Sequence, residues 1–180
     1  MEYSKWTKTL GNTDKKYIYI PQFLTQEELN ILQPWCKNQA LGDFKNDVQS
    51  PLAPSFYKDA VVNTLLESKK EKVEEISKLK LEASYSFWRA YIYGSILKDH
   101  IDRGSCEVSV TVCIDSCGAK WPIHMDGNWL DMKIGDAVMY LGCEVKHGRK
   151  PFEGHYCAQA FLHYVKKGGF FEHLAGDPYI

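Results

Sequence analysis

Apolar and polar positions change period part-way along the chain. In Tyr17 to Leu24 (YIYIPQFL) they alternate as in a short strand, and the segment runs into Thr25-Gln26-Glu27-Glu28. There Thr25 can cap a helix while Glu28 reaches back to the cap backbone, so a helix is predicted to about Cys36. Gln49 to Ser55 carries Pro51 and Pro54, which do not continue a helix, and it reads as a loop between two helices. From about Lys58 to Leu79, Val61, Leu65, Leu66, Val73, Ile76 and Leu79 recur at helical spacing, and the Lys/Glu run among them reads as a solvated face.

Beyond this point the texture is that of strands. Ser84 to Tyr93, Cys106 to Ile114, Ala137 to Leu141 and Cys157 to Val165 are rich in aromatic and β-branched residues, with glycines such as Gly94, Gly118, Gly135 and Gly142 punctuating them. Short strands closely spaced by glycine turns predict an α+β, mainly β chain: a barrel or sandwich with the helices grouped on its outside. No repeat or low-complexity tract interrupts it, and 180 residues suit one domain able to bury its own core.

Charge narrows the partners. With 22 basic and 23 acidic residues there is no global field to gather nucleic acid or an anionic membrane. The opening MEYSKWTKTLGNTDKK lacks the apolar core of a secretory signal, and no stretch reaches the roughly 18 apolar residues of a membrane span. A soluble, cytoplasmic chain is expected. The six cysteines (Cys36, Cys106, Cys113, Cys117, Cys143 and Cys157) fall mostly in or beside apolar runs, which favours reduced, buried thiols, and Cys113 with Cys117 makes a poor zinc half-site.

The most informative residues are His100 and Asp102. In an extended segment, positions i and i+2 project to one face and can grip one ion together. A third ligand is expected from a later strand, and His147 lies just past the apolar run that ends at Tyr140. Two histidines and one carboxylate on a triangular face leave three open positions, the arrangement of non-haem Fe(II) oxygenases. By itself, H-x-D is weak evidence, being more often a surface or core hydrogen-bonded pair.

Its surroundings carry a resemblance. Phe87 to Asp102 (FWRAYIYGSILKDHID) resembles the run of prolyl-hydroxylase-like Fe(II)/2-oxoglutarate-dependent dioxygenases in which an aromatic strand with a tyrosine, a glycine and H-x-D follow in order. Lys133 to Tyr140 (KIGDAVMY) looks like that family's turn and strand before the distal histidine, and YIYIPQFLTQEEL like its opening. The resemblance implies a double-stranded β-helix (jelly-roll or cupin-like), Fe(II) on His100, Asp102 and His147, 2-oxoglutarate as cosubstrate and ascorbate as a reductant. It assigns Tyr91 to the cosubstrate, against the plain reading of a packed strand tyrosine. It also expects a cation about ten residues past His147, where this chain reads His155, Tyr156, Cys157, Ala158 and Gln159. Arg149, two after His147, is preferred as the substitute, with Gln159 as helper and Thr111 adding a hydroxyl; Arg89 and Arg103 are alternatives. A carboxylate at Asp102 leaves no position for a halide and disfavours halogenation.

His163, on an apolar strand, reads as a hydrogen-bonded core or rim residue, and His124, His155 and His173 as exposed turn residues. Trp121 and Trp129 frame the loops between the ligand-bearing halves, as a substrate wall or a lid on the core. By analogy the substrate is a peptide, prolyl in particular, or a small molecule; a nucleobase is disfavoured because no basic stripe with interleaved aromatics is present. Two rivals remain at this point. One is a cupin-like metalloenzyme that does not use 2-oxoglutarate; the other is a non-catalytic β-sandwich interaction module, which predicts that His100, Asp102 and His147 lie far apart.

Overall fold

The computed structural model describes residues 9–42 and 45–178. The first eight residues, part of the segment read as lacking a secretory core, lie outside them. Strand β1 (Tyr17–Ile20) leads into helix α1 (Gln26–Ala40), then β2 (Lys45–Asp47), β3 (Ser50–Tyr57) and helix α2 (Ala60–Ser77). The strands β4 (Leu81–Tyr91), β5 (Leu97–His100), β6 (Val108–Ser116), β7 (Ile123–Met125), β8 (Asn128–Leu130), β9 (Ala137–Tyr140), β10 (His147–Arg149) and β11 (Cys157–Lys166) follow. The described strands form a seven-stranded sheet, β1-β9-β6-β11-β4-β3-β2, and a four-stranded sheet, β5-β10-β7-β8, and their pairings are antiparallel.

Local chemistry explains the helices. Thr25 accepts from the Glu28 N–H at 3.2 Å while the Thr25 N–H donates to Glu28 Oε2 at 2.8 Å, a reciprocal capping box. Asp59 caps α2 by accepting from the Val61 and Val62 amides at 3.0 and 3.1 Å, and it also accepts from the Trp35 indole at 3.1 Å, which ties the start of α2 to the C-terminal half of α1. The run from Gln49 to Ser55, read as a loop, is instead part of β3 from Ser50 onward. Its ladder to β4 uses only Ser55, Phe56 and Tyr57, so the prolines, which have no N–H, stand outside that ladder.

Strand alternation divides the large sheet into two faces. Val108, Val110, Val112 and Ile114 share a core with Ala158, Ala160 and Leu162 and with Leu32, Val62 and Leu66 of the helices. Tyr164 in the same row donates to the Leu66 carbonyl at 2.7 Å. Each such aliphatic side chain, wholly removed from water, contributes about 1.5–3 kcal/mol. The opposite face turns toward the small sheet and carries a different cast: Ser109, Thr111, Cys113, Gln159, Phe161 and His163. All six cysteines are free, and five of them are buried. Among the described residues no helix is long and apolar enough to cross a membrane.

Candidate metal and cosubstrate site

The ladder registers arrange the inner face in tiers. Tyr85, His163, Ser109 and Tyr140 lie side by side in the first, Phe87, Phe161, Thr111 and Val138 in the second, and Arg89, Gln159 and Cys113 in the third. Successive tiers are two residues, about 6.6–6.8 Å, apart. On the small sheet His147 pairs with His100, and Arg149 pairs with Leu97. His147 contacts Tyr140 of the first tier and Arg149 contacts Gln159 of the third.

His100, Asp102 and His147 are brought together, their ligand atoms all within 4.8 Å of one another. Asp102 Oδ1 stands 3.5 Å from Nε2 of His100 and 3.5 Å from Nε2 of His147. Each imidazole donates from Nδ1 to the carbonyl two residues earlier, His100 to Lys98 at 2.8 Å and His147 to Val145 at 2.9 Å. Those bonds select the tautomer in which Nε2 keeps its lone pair, the form a metal requires. This geometry removes the main expectation of the interaction-module reading.

The electrostatics fit a group of ligands. Burial depresses the His147 pKa, so the ring is held neutral. Burial pulls His100 the same way, but its bonds to Asp102 and the Lys98 carbonyl outweigh that and its pKa is raised. Burial alone would raise Asp102; the neighbouring imidazoles reverse the sign and hold it as a carboxylate. Two glycines allow the strands to meet. A Cβ on Gly148 would strike Asp99 and come within 2.8 Å of the Leu97 carbonyl, and one on Gly142 would strike the Cys106 carbonyl and reach 2.7 Å from Asp102 Oδ2.

A cavity of about 230 Å³ opens on the three residues, with Arg89, Phe161 and His163 in its walls. Arg149 is 3 % exposed, accepts no counter-charge and forms no ion pair among the described residues. Its guanidinium donates to the Trp121 carbonyl and, at 3.3 Å, to Gln159 Oε1, lies 4.6 Å from the Trp121 ring centroid, and leaves Nε without a partner. Thr111 Oγ1 is likewise buried without a hydrogen-bond partner. Tyr91 is fully buried against Trp121, and its hydroxyl accepts from Arg89 at 3.4 Å. Tyr91, Thr111, Arg149 and Gln159 do not line the cavity itself. Of the two alternative arginines, Arg103 is committed to Asp177 at 2.5 Å, whereas Arg89 lines the cavity and donates to Gln49 at 2.7 Å.

Several residues take places the sequence reading did not give them. His163 is buried and hydrogen-bonded, as its strand suggested, but it also stands in the cavity wall, with Nδ1 2.8 Å from Ser109 Oγ, and Ser109 donates to Asp102 Oδ2 at 3.2 Å. Alternation along β6 and β11 carried the signal: Ser109 is two before Thr111, and His163 is four after Gln159. His124 is half-buried on β7 against Asp99 at 3.1 Å, not exposed at a turn. Trp121 is buried, while Trp129 is 46 % exposed. Asp136 of the KIGDAVMY run is architectural, accepting from the Gln22 and Lys133 amides at 2.9 Å each and from the Tyr19 hydroxyl.

No protein-family model matches the sequence, and no curated protein matches it. Solved structures do match in shape. A prolyl-4-hydroxylase from Pseudomonas putida is similar at TM-score 0.68 and 16 % identity, over 84 % of this chain and 94 % of that one. The fold is that of the 2-oxoglutarate/Fe(II) oxygenases. A viral collagen prolyl hydroxylase from Paramecium Bursaria Chlorella virus-1, in its 2-oxoglutarate complex, is similar at TM-score 0.63 and 14 % identity over 83 % of this chain and 96 % of that one. HygX of Streptomyces hygroscopicus, with nickel, 2-oxoglutarate and hygromycin B bound, is similar at TM-score 0.63 and 13 % identity over 83 % and 82 %. The two packed antiparallel sheets with helices behind the larger one are thus the double-stranded β-helix of this oxygenase fold.

Proposed function

We propose that residues 1–180 form one oxygenase domain that binds Fe(II) on His100, Asp102 and His147 and uses 2-oxoglutarate and O₂ to hydroxylate a peptidyl side chain, prolyl by analogy, or a small molecule. The observation that carries the reading is the buried Arg149 guanidinium without an anion, two positions after His147 and turned to the same interior. An uncompensated buried charge costs several kcal/mol, and a dicarboxylate supplies what is missing.

The residues fit both groups. Two neutral Nε2 atoms and one carboxylate oxygen form a borderline donor set suited to Fe(II). The far carboxylate of 2-oxoglutarate would be held by Arg149, with Gln159 behind it; the partnerless Thr111 hydroxyl, one tier nearer the imidazoles, would donate to it, and Tyr91 would close the far end. Bound together, Fe(II) and 2-oxoglutarate supply O₂ activation coupled to oxidative decarboxylation, chemistry able to hydroxylate a C–H bond. The chain's own part is positional. The Lys98 and Val145 carbonyls keep Nε2 of each imidazole unprotonated, Ser109 fixes the second oxygen of Asp102, and Phe87 and Phe161 give the cavity an apolar wall.

The test is anaerobic titration of the metal-free protein with Fe(II) and 2-oxoglutarate, following the weak visible charge-transfer band of a chelated keto acid. A band that needs both additions is expected. Bound iron without the band would replace this reading with the cupin-like metalloenzyme, and failure to bind iron would overturn it.

A further inference from the structure

Asp102 divides its two oxygens. Oδ1 faces the His100 and His147 imidazoles, whereas Oδ2 accepts from Ser109, whose hydroxyl also lies 2.8 Å from Nδ1 of His163. Ligand atoms of Asp102, Cys106 and His163 also lie within 4.8 Å of one another. Cys106 is 3 % and His163 6 % exposed, so neither is a surface residue that happens to lie close. The Tyr85 hydroxyl is 3.2 Å from Cys106 Sγ, and the Tyr85 ring packs on His163 with centroids 4.6 Å apart. Asp102, His163 and Tyr85 all line the cavity, which gives an ion a path to this inner set.

The chemistry of the two sets differs. The outer set has nitrogen and oxygen only; the inner one exchanges an imidazole for sulfur, and thiolate ligands favour zinc and other thiophilic ions. We propose that Asp102, Cys106 and His163 form a second cation site, selective for a thiophilic divalent ion such as Zn²⁺, which competes with the outer set because Asp102 belongs to both. On loading, Cys106 gives up its proton to solvent and forms the metal–sulfur bond, with no change of oxidation state. The inference rests on the reading of His100, Asp102 and His147 only through their common aspartate.

Cobalt(II) titrated into the metal-free full chain, anaerobically and with thiols reduced, tests it, since thiolate coordination adds intense near-ultraviolet sulfur-to-cobalt absorption. Wild type and His147→Ala are both expected to show that absorption, and Cys106→Ser to lose it while retaining the visible cobalt bands of the outer site. In the His147→Ala background, adding Cys106→Ser or His163→Gln should weaken Zn²⁺ binding at least about tenfold. Sulfur absorption that vanishes in His147→Ala, or that persists in Cys106→Ser, overturns the proposal; the latter result would move the ligand to another thiol. Circular dichroism of each variant separates loss of a ligand from loss of the fold. If His147→Ala keeps the Fe(II)/2-oxoglutarate band, the outer-site reading fails while the inner site stands on its own absorption.

Discussion

The guanidinium of Arg149 donates to the side-chain carbonyl of Gln159, ten positions on, across 3.3 Å of the barrel interior. The bond joins the small sheet to the large one at the third tier, and it is a neutral acceptor for a charge that has no anion. Arg149→Met should therefore weaken 2-oxoglutarate binding by about 10–100-fold, the worth of a charge-assisted bond. It should leave the melting temperature of the ligand-free protein unchanged or higher, because an uncompensated charge is removed. Calorimetric titration together with thermal melting checks both; an unchanged affinity would move the carboxylate role to Arg89.

Replacing His100, Asp102 or His147 singly by alanine should weaken Fe(II) binding more than the roughly 10–100-fold typical of outer partners. The melting temperature of the metal-free protein should move little, since none of the three belongs to the apolar core. Iron content after dialysis and succinate release report the outcome, and full activity in any one variant would remove that residue from the ligand set.

Gly148 predicts a backbone effect. Alanine there must push β10 away from the Asp99 N–H and the Leu97 carbonyl, each 2.8 Å from its Cβ. That separates His147 from His100. Iron affinity should fall as far in Gly148→Ala as in a ligand deletion, although no ligand has been touched; unchanged affinity would show that the two strands can part without cost to the site.

His163 sets a pH dependence. Burial lowers its pKa from 6.5 to about 4, so below about 6.5 the unfolded chain takes up a proton that the folded one refuses. The stability of the metal-free protein should fall as pH drops from about 6.5 to about 4 and lose nothing further through this group below that. The loss approaches about 3 kcal/mol at about 1.4 kcal/mol per pKa unit. His163→Gln should flatten this part of the stability curve; a parallel curve would assign the acid loss to carboxylates.

The legible parts of the molecule were those specified locally. Thr25 with Glu28 marks a helix start within four residues, and the alternation of β6 or β11 is the same in sequence and in space. Strand β3 was hidden because Pro51 and Pro54 mask it, and only the register shows that the ladder to β4 begins at Ser55, beyond both prolines. The H-x-D pair could be read because i and i+2 share a face, but the approach of His147 depends on Gly148 fitting between β10 and β5, which no local pattern states. Arg149 could be named as a candidate from its offset to His147. Its missing counter-charge could not, since that depends on which acidic residues the fold keeps away. Asp136 shows the reverse: a motif residue whose bonds to Tyr19, Gln22 and Lys133 serve the architecture.

The position of β11 has a consequence for the life of the chain on the ribosome. Among the described strands it is the last to be made, yet it lies in the middle of the large sheet, between β6 and β4. Until it emerges, β1-β9-β6 and β4-β3-β2 can exist only as two unfinished ribbons, each with a raw edge able to recruit a stranger. Closure must await distant partners, so folding is slow and cannot be completed before β11 has emerged. A chain stalled just short of Cys157 has made every proposed iron ligand and still lacks the strand that would bring its two halves together.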